Sequence, residues 1–421
     1  MLAQKRREGG HSHASTWDDG GIRCLGQDPK RGHPASLPQS HVLRPRIVYV
    51  SYDGIAEPLG RSQVLGYLLL LAPDHDITLI SFEKDREQRA ALSDELRAAG
   101  IEWVPLDYRL RPPVLSTLLD IAAGRRALVR AARGRRPDIV HVRSYVPALM
   151  AVLASRRTGG RLLFDIRGFW ADERVEGGLW PRGGVLYRIA KRCERMFFAR
   201  ADAVVTLTEA SVPRIRRWIG ARDVPIEVIP TCVDPRRFAA CVPRADGPHA
   251  VWSGSIGTWY RFDLGVALAG AAGLPLTVLT RQAELAHREL AGRDAEVRSV
   301  PPLQMPAALH EGDVGLCMIV SSFSKTASAP TRFAEYLAAG MPVAVTPGVG
   351  DLERLVEGHG VGIVLRGEDE ATLAAAGAQL RTMAADPATR DRCRRLALEL
   401  FDVRSGSARY AALYELLLTT R

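Results

Sequence analysis

Cysteine is scarce in this chain of 421 residues, and no two cysteines have the spacing of a metal site. The six are Cys24, Cys193, Cys232, Cys241, Cys317 and Cys393. The absence of any Cys-x-x-Cys pair argues against a zinc site, and the scatter of the six argues against a disulfide framework. We therefore expect a reducing, cytoplasmic compartment.

Long hydrophobic runs are also missing. The longest, residues 64–72, is far shorter than the roughly 20 residues that a membrane-spanning helix needs. The basic start, Lys5-Arg6-Arg7, is followed by Glu-Gly-Gly-His, so no signal peptide is expected. Residues 1–44 are rich in Gly, Ser, His, Pro and charge without periodicity, which predicts a disordered tail or translated sequence upstream of the true start.

Acidic residues are outnumbered, with 47 Asp and Glu against 57 Lys and Arg, a net charge of +10 and a pI near 9.6. This surplus suits nucleotide phosphates, anionic lipid or nucleic acid. No aromatic and basic module is present, so we expect no nucleic-acid partner. A run of arginines on a predicted helix could bind an anionic membrane surface, or could be a solvated helix face. The run comprises Arg125, Arg126, Arg130, Arg133, Arg135 and Arg136.

From residue 46 onward, short apolar runs alternate with longer helical patterns, which is typical of parallel sheets covered on both faces. The first series of predicted strands is 46–51, 77–82, 101–106, 138–142, 161–166, 203–207 and 226–229. After a proline-bearing stretch at 231–248, a second series follows at 250–253, 276–280, 297–300, 314–318, 343–346 and 361–365. The pattern predicts an α/β fold of two doubly wound, Rossmann-like domains facing across a cleft.

The predicted boundaries follow from these two series. We expect residues 45–235 to form the N-terminal domain and residues 236–405 the C-terminal domain. Residues 406–421 form a last helix that could cross back to the first domain. Ligands of such sheets bind beyond the carboxyl ends of the strands, so we expect the functional residues there.

The most informative segment runs from Ser324 to Val343. Pro330 suits the first turn of a helix, and Gly340 suits its end. The N-terminus of this helix, with Ser328, Thr331 and the charge of Lys325, could hold a diphosphate. Four residues after Thr331, Glu335 could accept hydrogen bonds from ribose hydroxyls, or it could be a solvated glutamate.

Two loops after strands of the first series carry candidate acceptor contacts. In the loop Tyr52–Gln63, Gly60 could let the backbone approach a ligand, with Arg61 and Ser62 reaching its oxygens; a capped loop is the equal alternative. In Asp165–Arg174, aromatic faces such as that of Trp170 could stack on sugar rings, and carboxylates could accept their hydroxyl hydrogens. The alternative is a loop with internal salt bridges. The candidate catalytic residues of this loop are Arg167, Asp172 and Glu173.

The segment Ala329-Pro-Thr-Arg-Phe-Ala-Glu-Tyr-Leu337, followed by Gly340-Met-Pro-Val343, resembles the donor signature of glycosyltransferase family 4, whose fold is called GT-B. Glu335 matches the second glutamate of that signature, whereas the first would fall on Ala327. Branches with a Ser-Pro-Thr-Lys-Phe-x-Glu-Tyr-Leu variant also lack the first glutamate. The resemblance extends over nearly the whole chain after residue 45, and it implies that residues 45–235 are the acceptor-side domain and residues 236–405 the nucleotide-sugar-binding domain.

The resemblance implies two further donor contacts. The loop after the first strand of the second series, with Gly254, Ser255 and Thr258, resembles the family's Gly-Ser loop, and Arg281 stands where the family carries a phosphate-binding arginine or lysine. Either could instead be an ordinary strand–helix turn. No Asp-x-Asp follows a strand, so we expect neither a metal ion nor another cofactor.

The resemblance also implies the activity: a retaining glycosyltransferase of the hexosyltransferase type, with attack on the same face as the departing diphosphate. Its partners would be a nucleotide-sugar and a glycan or lipid-linked acceptor, as in polysaccharide biosynthesis at the inner face of a membrane. One alternative is a nucleotide-sugar epimerase on the same fold. Another is a non-catalytic nucleotide-sugar-binding partner subunit.

Overall fold

The computed structural model describes residues 44–85, 87, 89–238 and 247–420. Of the predicted N-terminal tail, residues 1–43 lie outside the described residues. Cys24, Cys241 and Pro243 also lie outside them. Four described cysteines are free thiols: Cys193, Cys232, Cys317 and Cys393.

Seven parallel strands form the first sheet, in the order β3-β2-β1-β4-β5-β6-β7. In chain order these strands are Arg46–Ser51, Asp76–Glu83, Glu102–Asp107, Ile139–Arg143, Arg161–Asp165, Ala203–Thr206 and Ile226–Val228. Most are apolar runs covered on both faces, the burial that a parallel sheet requires. The strand order reverses between β1 and β4, and such a switch point is where doubly wound sheets bind ligands.

Six parallel strands form the second sheet, in the order β10-β9-β8-β11-β12-β13. They are Ala250–Ser253, Leu276–Leu279, Glu296–Arg298, Val314–Cys317, Val343–Val345 and Gly362–Val364. Here the order reverses between β8 and β11. The predicted fold class, two doubly wound α/β domains, is therefore confirmed.

Helices cover both faces of each sheet, and each face has its own apolar core cluster. The helices α1 to α8 are Pro58–Gly60, Gly66–Leu71, Arg89–Ala98, Pro113–Ala131, Tyr145–Thr158, Trp170–Glu176, Val185–Arg200 and Val212–Ile219. The helices α9 to α16 are Phe262–Ala271, Ala283–Leu290, Met305–Leu309, Thr331–Ala338, Leu352–His359, Glu370–Ala385, Pro387–Leu400 and Val403–Thr419. Within the described residues, no helix combines the length and the hydrophobicity needed to cross a membrane.

The last helix, α16, follows the second domain but packs on the first sheet. The Tyr414 hydroxyl is hydrogen-bonded to Nδ1 of His141 (2.7 Å), and the Tyr410 hydroxyl donates to Oδ2 of Asp165 (3.0 Å). Burial lowers the pKa of His141, although Asp165 opposes this effect. His141 is therefore part of the packing between β4 and α16.

Candidate functional site

A cavity of about 920 Å³ lies where the carboxyl ends of the two sheets face each other. Both domains contribute residues to its wall, among them charged, polar and aromatic ones. Those of the first domain include Tyr52, Asp53, Gln63, Lys84, Arg143, Arg167, Trp170, Glu173 and Arg174. Those of the second include Trp259, Tyr260, Lys325, Ser328, Pro330 and Thr331. The size and mixed lining are those of a small-molecule site.

Sheet topology brings the first-domain residues together. Ser51 at the end of β1 pairs with Arg143 at the end of β4, and Arg143 pairs with Asp165 at the end of β5. Asp53 follows β1 by two residues, and Arg167 follows β5 by two residues. Three neighbouring strands therefore deliver Asp53, Arg143 and Arg167 to one edge of the sheet.

The second-domain wall is formed by the segment that the sequence singled out. Lys325 is buried, with 8% of its side chain exposed, and its Nζ donates to Oε1 of Glu173 in the first domain (2.6 Å). The same Nζ lies 3.9 Å from the centre of the Trp259 ring. Ser328 and Thr331 line the cavity on either side of Pro330, the residue that precedes α12. The N-terminus of α12 therefore opens at the cavity wall.

Glu335 lies one turn further along α12 and is not a lining residue of this cavity. Burial raises the pKa of Glu335 to about 7, against the opposing charges of Arg332 and Arg237. Among the described residues its carboxylate has no hydrogen-bond partner. A half-buried carboxylate without donors can accept hydrogen bonds from ligand hydroxyls.

The Gly254 loop adopts a conformation that needs glycine, with φ at 99°. A Cβ on Gly254 would lie 2.6 Å from Nη2 of Arg332. Arg332 is buried at this loop, and its Cζ lies 5.0 Å from the Trp252 ring centre and 4.4 Å from that of Tyr260. Its Nη1 has no partner among the described residues. Sequence reasoning missed Arg332, although it stands inside the motif that resembles the donor signature.

Besides Glu335, four predicted donor residues do not line the cavity: Gly254, Ser255, Thr258 and Arg281. Ser255 and Thr258 are exposed, and the carbonyl of Ser255 accepts a hydrogen bond from Arg332 (3.4 Å). Arg281 is exposed beyond the end of β9. Their donor roles remain predictions.

The position of the missing first glutamate is closed to a charged side chain. Ala327 is fully buried and belongs to the apolar cluster under the first sheet, together with Phe169. Next to it, the rings of Phe169 and Phe323 stack with centres 5.2 Å apart. The segment that holds Lys325 therefore rests directly on the first domain.

On the acceptor side, Arg167 has a left-handed backbone, with φ at 56°. Its Nη2 donates to Oε1 of Gln63 (3.3 Å), and its Nη1 lies 3.8 Å from Oδ2 of Asp165. Burial disfavours the charged guanidinium, but Asp165 and neighbouring tyrosines raise the pKa of Arg167 above its ordinary value. Arg167 is therefore a fixed positive charge in the cavity wall.

Trp170, Asp172 and Glu173 all lie on α6, and only two of them face the cavity. Trp170 and Glu173 line it. Asp172 is not among the lining residues and instead accepts hydrogen bonds from Tyr187 and Lys191 on α7, both at 2.9 Å. Consecutive helix residues point in different directions, so Asp172 fixes α6 to α7 while Glu173 reaches the ligand space.

The expected acceptor contacts of the first loop have no support in the geometry, because Gly60, Arg61 and Ser62 are not lining residues. A Cβ on Gly60 would lie 2.0 Å from the carbonyl oxygen of Gly54, so this glycine serves close packing rather than ligand approach. Arg61 pairs with Glu95 at the surface (2.8 Å). The Ser62 hydroxyl donates to the carbonyl of Pro58 (3.0 Å).

The next residue, Gln63, does line the cavity and was missed by the sequence reasoning. Its Nε2 donates to the carbonyl of Cys232 (2.8 Å), which leaves Oε1 for Arg167. Arg143 was also missed, although it directly follows a predicted strand.

In the described part of the chain, no three His, Cys, Asp or Glu side chains form a group that could hold a metal ion.

Comparison with known proteins is consistent with this geometry. The family model "Glycosyltransferase Family 4" matches residues 69–237. No curated protein matches the sequence. A sucrose-phosphate synthase from Thermosynechococcus elongatus superposes with a TM-score of 0.66 at 15% identity, covering 89% of this chain and 99% of that one.

Two further solved structures show the same fold. Anabaena HepE in complex with UDP and glucose gives a TM-score of 0.61 at 16% identity, covering 88% of this chain and 99% of that one. A glycosyltransferase from Rickettsia africae gives a TM-score of 0.63 at 14% identity, covering 90% of this chain and 100% of that one. The chain thus has the GT-B fold, and its residues 69–237 are similar to glycosyltransferase family 4.

Proposed function

We propose that the protein is a retaining, metal-independent glycosyltransferase that moves a hexosyl group from a nucleotide-sugar to a glycan or lipid-linked acceptor. The observation that carries the proposal is the cavity of about 920 Å³ that joins the predicted donor segment to the predicted acceptor loop. A transferase needs both substrates in one water-poor space, because holding the reacting atoms together supplies much of the rate enhancement.

The donor occupies the second-domain half in this proposal. Its diphosphate lies against Lys325, Ser328 and Thr331 at the N-terminus of α12, where backbone N–H groups and the helix dipole favour negative charge. The nucleoside extends beyond the cavity along α12 in this proposal, so that Glu335 accepts the ribose hydroxyls, and Arg332 adds a second positive charge beside the Gly254 loop. UDP and UDP-glucose are bound to Anabaena HepE, which has the same fold.

The acceptor occupies the first-domain half, where the Trp170 ring offers a face for a sugar. The acceptor oxygen bonds to the anomeric carbon as the bond from that carbon to the diphosphate oxygen breaks on the same face, and the proton of the acceptor hydroxyl passes to that leaving oxygen. Lys325 and the end of α12 stabilise the charge that develops on the leaving diphosphate. Arg167 and Glu173 orient the acceptor, and Asp172 holds α6 in place.

Two alternative functions would use the same cavity. An epimerase would need an acid and a base at the sugar, and we assign no such pair. A non-catalytic partner subunit would bind the nucleotide-sugar and leave it intact.

A thermal-shift panel of UDP-, GDP-, ADP- and dTDP-sugars tests the proposal. A ligand at about 100 times its dissociation constant adds roughly 2.7 kcal/mol to the free energy of unfolding. We expect one nucleotide series to raise the melting temperature, and release of labelled sugar then separates the enzyme from the binder. No shift with any member of the panel would contradict the proposal.

A further inference from the structure

Two buried arginines lie on the first-domain wall of the cavity, at the ends of two adjacent strands. Arg143 ends β4 and has 4% of its side chain exposed, and Arg167 follows β5 with 9% exposed. Both line the cavity. They come from adjacent strands, since Arg143 pairs in register with Asp165.

Each guanidinium keeps one buried N–H group without a hydrogen-bond partner. Nε of Arg143 donates to Oδ2 of Asp53 (3.2 Å), but its Nη1 has no partner among the described residues. Nη2 of Arg167 donates to Gln63, whereas its Nη1 lies 3.8 Å from Asp165, beyond hydrogen-bond distance. Buried charged donors are normally satisfied, so the arrangement indicates a ligand group that completes both.

The protein's own carboxylates do not complete them. Asp165 is not a lining residue of the cavity; its Oδ2 is already engaged by the Tyr410 hydroxyl, and its buried Oδ1 makes no hydrogen bond to either guanidinium. Asp53 engages Arg143 only through Nε and is partly exposed. The group that completes both arginines must therefore enter from the cavity. Two guanidinium groups offer the forked donors that suit a phosphate, which has several acceptor oxygens.

We propose that Arg143 and Arg167 form an oxyanion subsite that binds a phosphate group carried by the acceptor. This inference rests on the proposed function, because it takes the donor diphosphate to lie on the opposite wall, at Lys325 and α12. A second anion subsite on the acceptor wall selects a phosphate-bearing acceptor over a neutral glycan. Asp53 limits the affinity of the subsite, because its carboxylate competes for Arg143.

Inorganic phosphate is the probe, titrated by calorimetry into the full chain with and without a saturating nucleoside diphosphate from the panel. We expect phosphate to bind in both cases, because the nucleotide fills only the donor wall. Arg143→Gln should weaken phosphate binding at least tenfold and leave nucleotide affinity unchanged. Asp53→Asn should strengthen phosphate binding several-fold. Arg97→Gln, which removes an exposed arginine on α3, is the matched control and should change neither affinity.

Two results would overturn the subsite. Loss of phosphate binding when the nucleotide is present would place the anion in the donor site, and unchanged binding in Arg143→Gln would place it elsewhere on the surface. If Arg143→Gln does not fold, Asp53→Asn is sufficient by itself, since unaltered or weaker binding contradicts the proposal. Failure of the proposed function gives a different result: no nucleotide binds, but inorganic phosphate still binds and still responds to Arg143→Gln.

Discussion

The amine of Lys325 and the carboxylate of Glu173 meet at 2.6 Å across the cleft, so that one ion pair joins the predicted donor segment to the predicted acceptor loop. Lys325 is almost fully buried, whereas Glu173 keeps 41% of its side chain exposed. In our proposal, a bound diphosphate and Glu173 compete for the same ammonium group. The pair therefore sets the donor affinity.

We predict opposite effects for the two halves of this pair. Lys325→Gln should weaken nucleoside diphosphate binding about tenfold to a hundredfold, because a buried charge facing the diphosphate is worth roughly 1.5 to 3 kcal/mol. Glu173→Gln should strengthen it, since Lys325 then loses its competing carboxylate. Calorimetry with the nucleotide measures both affinities.

The control for that pair of variants is Arg366→Gln, which breaks an exposed ion pair with Glu353 on the second domain. It should leave nucleotide affinity unchanged. Weaker binding in both Lys325→Gln and Glu173→Gln would mean that the ion pair organises the cleft and does not compete with the ligand.

A second prediction concerns pH. Burial raises the pKa of Glu335 from 4.5 to about 7. Between these two pH values, the folded protein keeps a proton on Glu335 that the unfolded chain has released. The stability that this proton gives is fully present below pH 4.5 and is lost as pH rises through 7. Relative to Glu335→Gln, the wild type should lose up to about 3 kcal/mol between pH 4.5 and pH 8.

Urea unfolding of both proteins at several pH values measures this difference in free energy. Glu415→Gln, at an exposed position on α16, should follow the wild type at every pH. Parallel stability curves for the wild type and Glu335→Gln would show that the carboxylate is solvated, the alternative that the sequence left open.

Much of the fold could be predicted from the sequence, because buried parallel strands are recognisable as apolar runs. The site was harder to predict. His141 and Arg143 lie on one strand, but α16 covers His141 while Arg143 reaches the cavity, and only the packing of α16 reveals this. Asp172 and Glu173 are adjacent in sequence, yet the turn of α6 sends one to α7 and the other to the ligand space.

A third prediction addresses metal ions. Turnover should survive EDTA, because Lys325, Arg332 and the end of α12 are proposed to stabilise the leaving diphosphate. The rate of nucleoside diphosphate release before and after chelation is the measurement. Loss of turnover that only Mg²⁺ or Mn²⁺ restores would show that the donor site is wrongly assigned.

A fourth prediction concerns the helix that returns to the first domain. Tyr410→Phe removes the hydrogen bond to Asp165, which should cost about 1 to 3 kcal/mol of stability. Because Asp165 lies beside Arg167, kcat should fall while KM for the donor is unchanged. Tyr414→Phe removes a bond to His141 instead, so it should lower stability but preserve kcat. Equal kcat values in the two variants would contradict a link from Tyr410 to the site.

A fifth prediction concerns the arginine run on α4 and the turn that follows it. Four of its members are exposed: Arg126, Arg130, Arg133 and Arg136. We predict salt-sensitive binding to anionic vesicles at about 1 kcal/mol per arginine, screened over roughly 10 Å at 0.1 M salt. Reversing the four to glutamate should abolish vesicle binding and spare nucleotide binding.

The control for the vesicle experiment reverses four exposed arginines of the second domain: Arg288, Arg293, Arg354 and Arg395. That variant has the same net charge and should still bind anionic vesicles. Equal loss of vesicle binding in both variants would assign the effect to the total charge of the protein. Equal binding of the wild type to neutral and anionic vesicles would show that the arginine run is a solvated helix face.

The most direct test of glycosyl transfer is NMR of the anomeric proton during incubation with the nucleotide-sugar that gives the largest thermal shift. We predict that the donor signal disappears, that nucleoside diphosphate is released, and that the first product keeps the anomeric configuration of the donor. Glu335→Ala, which removes the proposed ribose contact, should slow this release. An intact nucleotide-sugar under conditions where it binds, or a product of inverted configuration, would contradict the account.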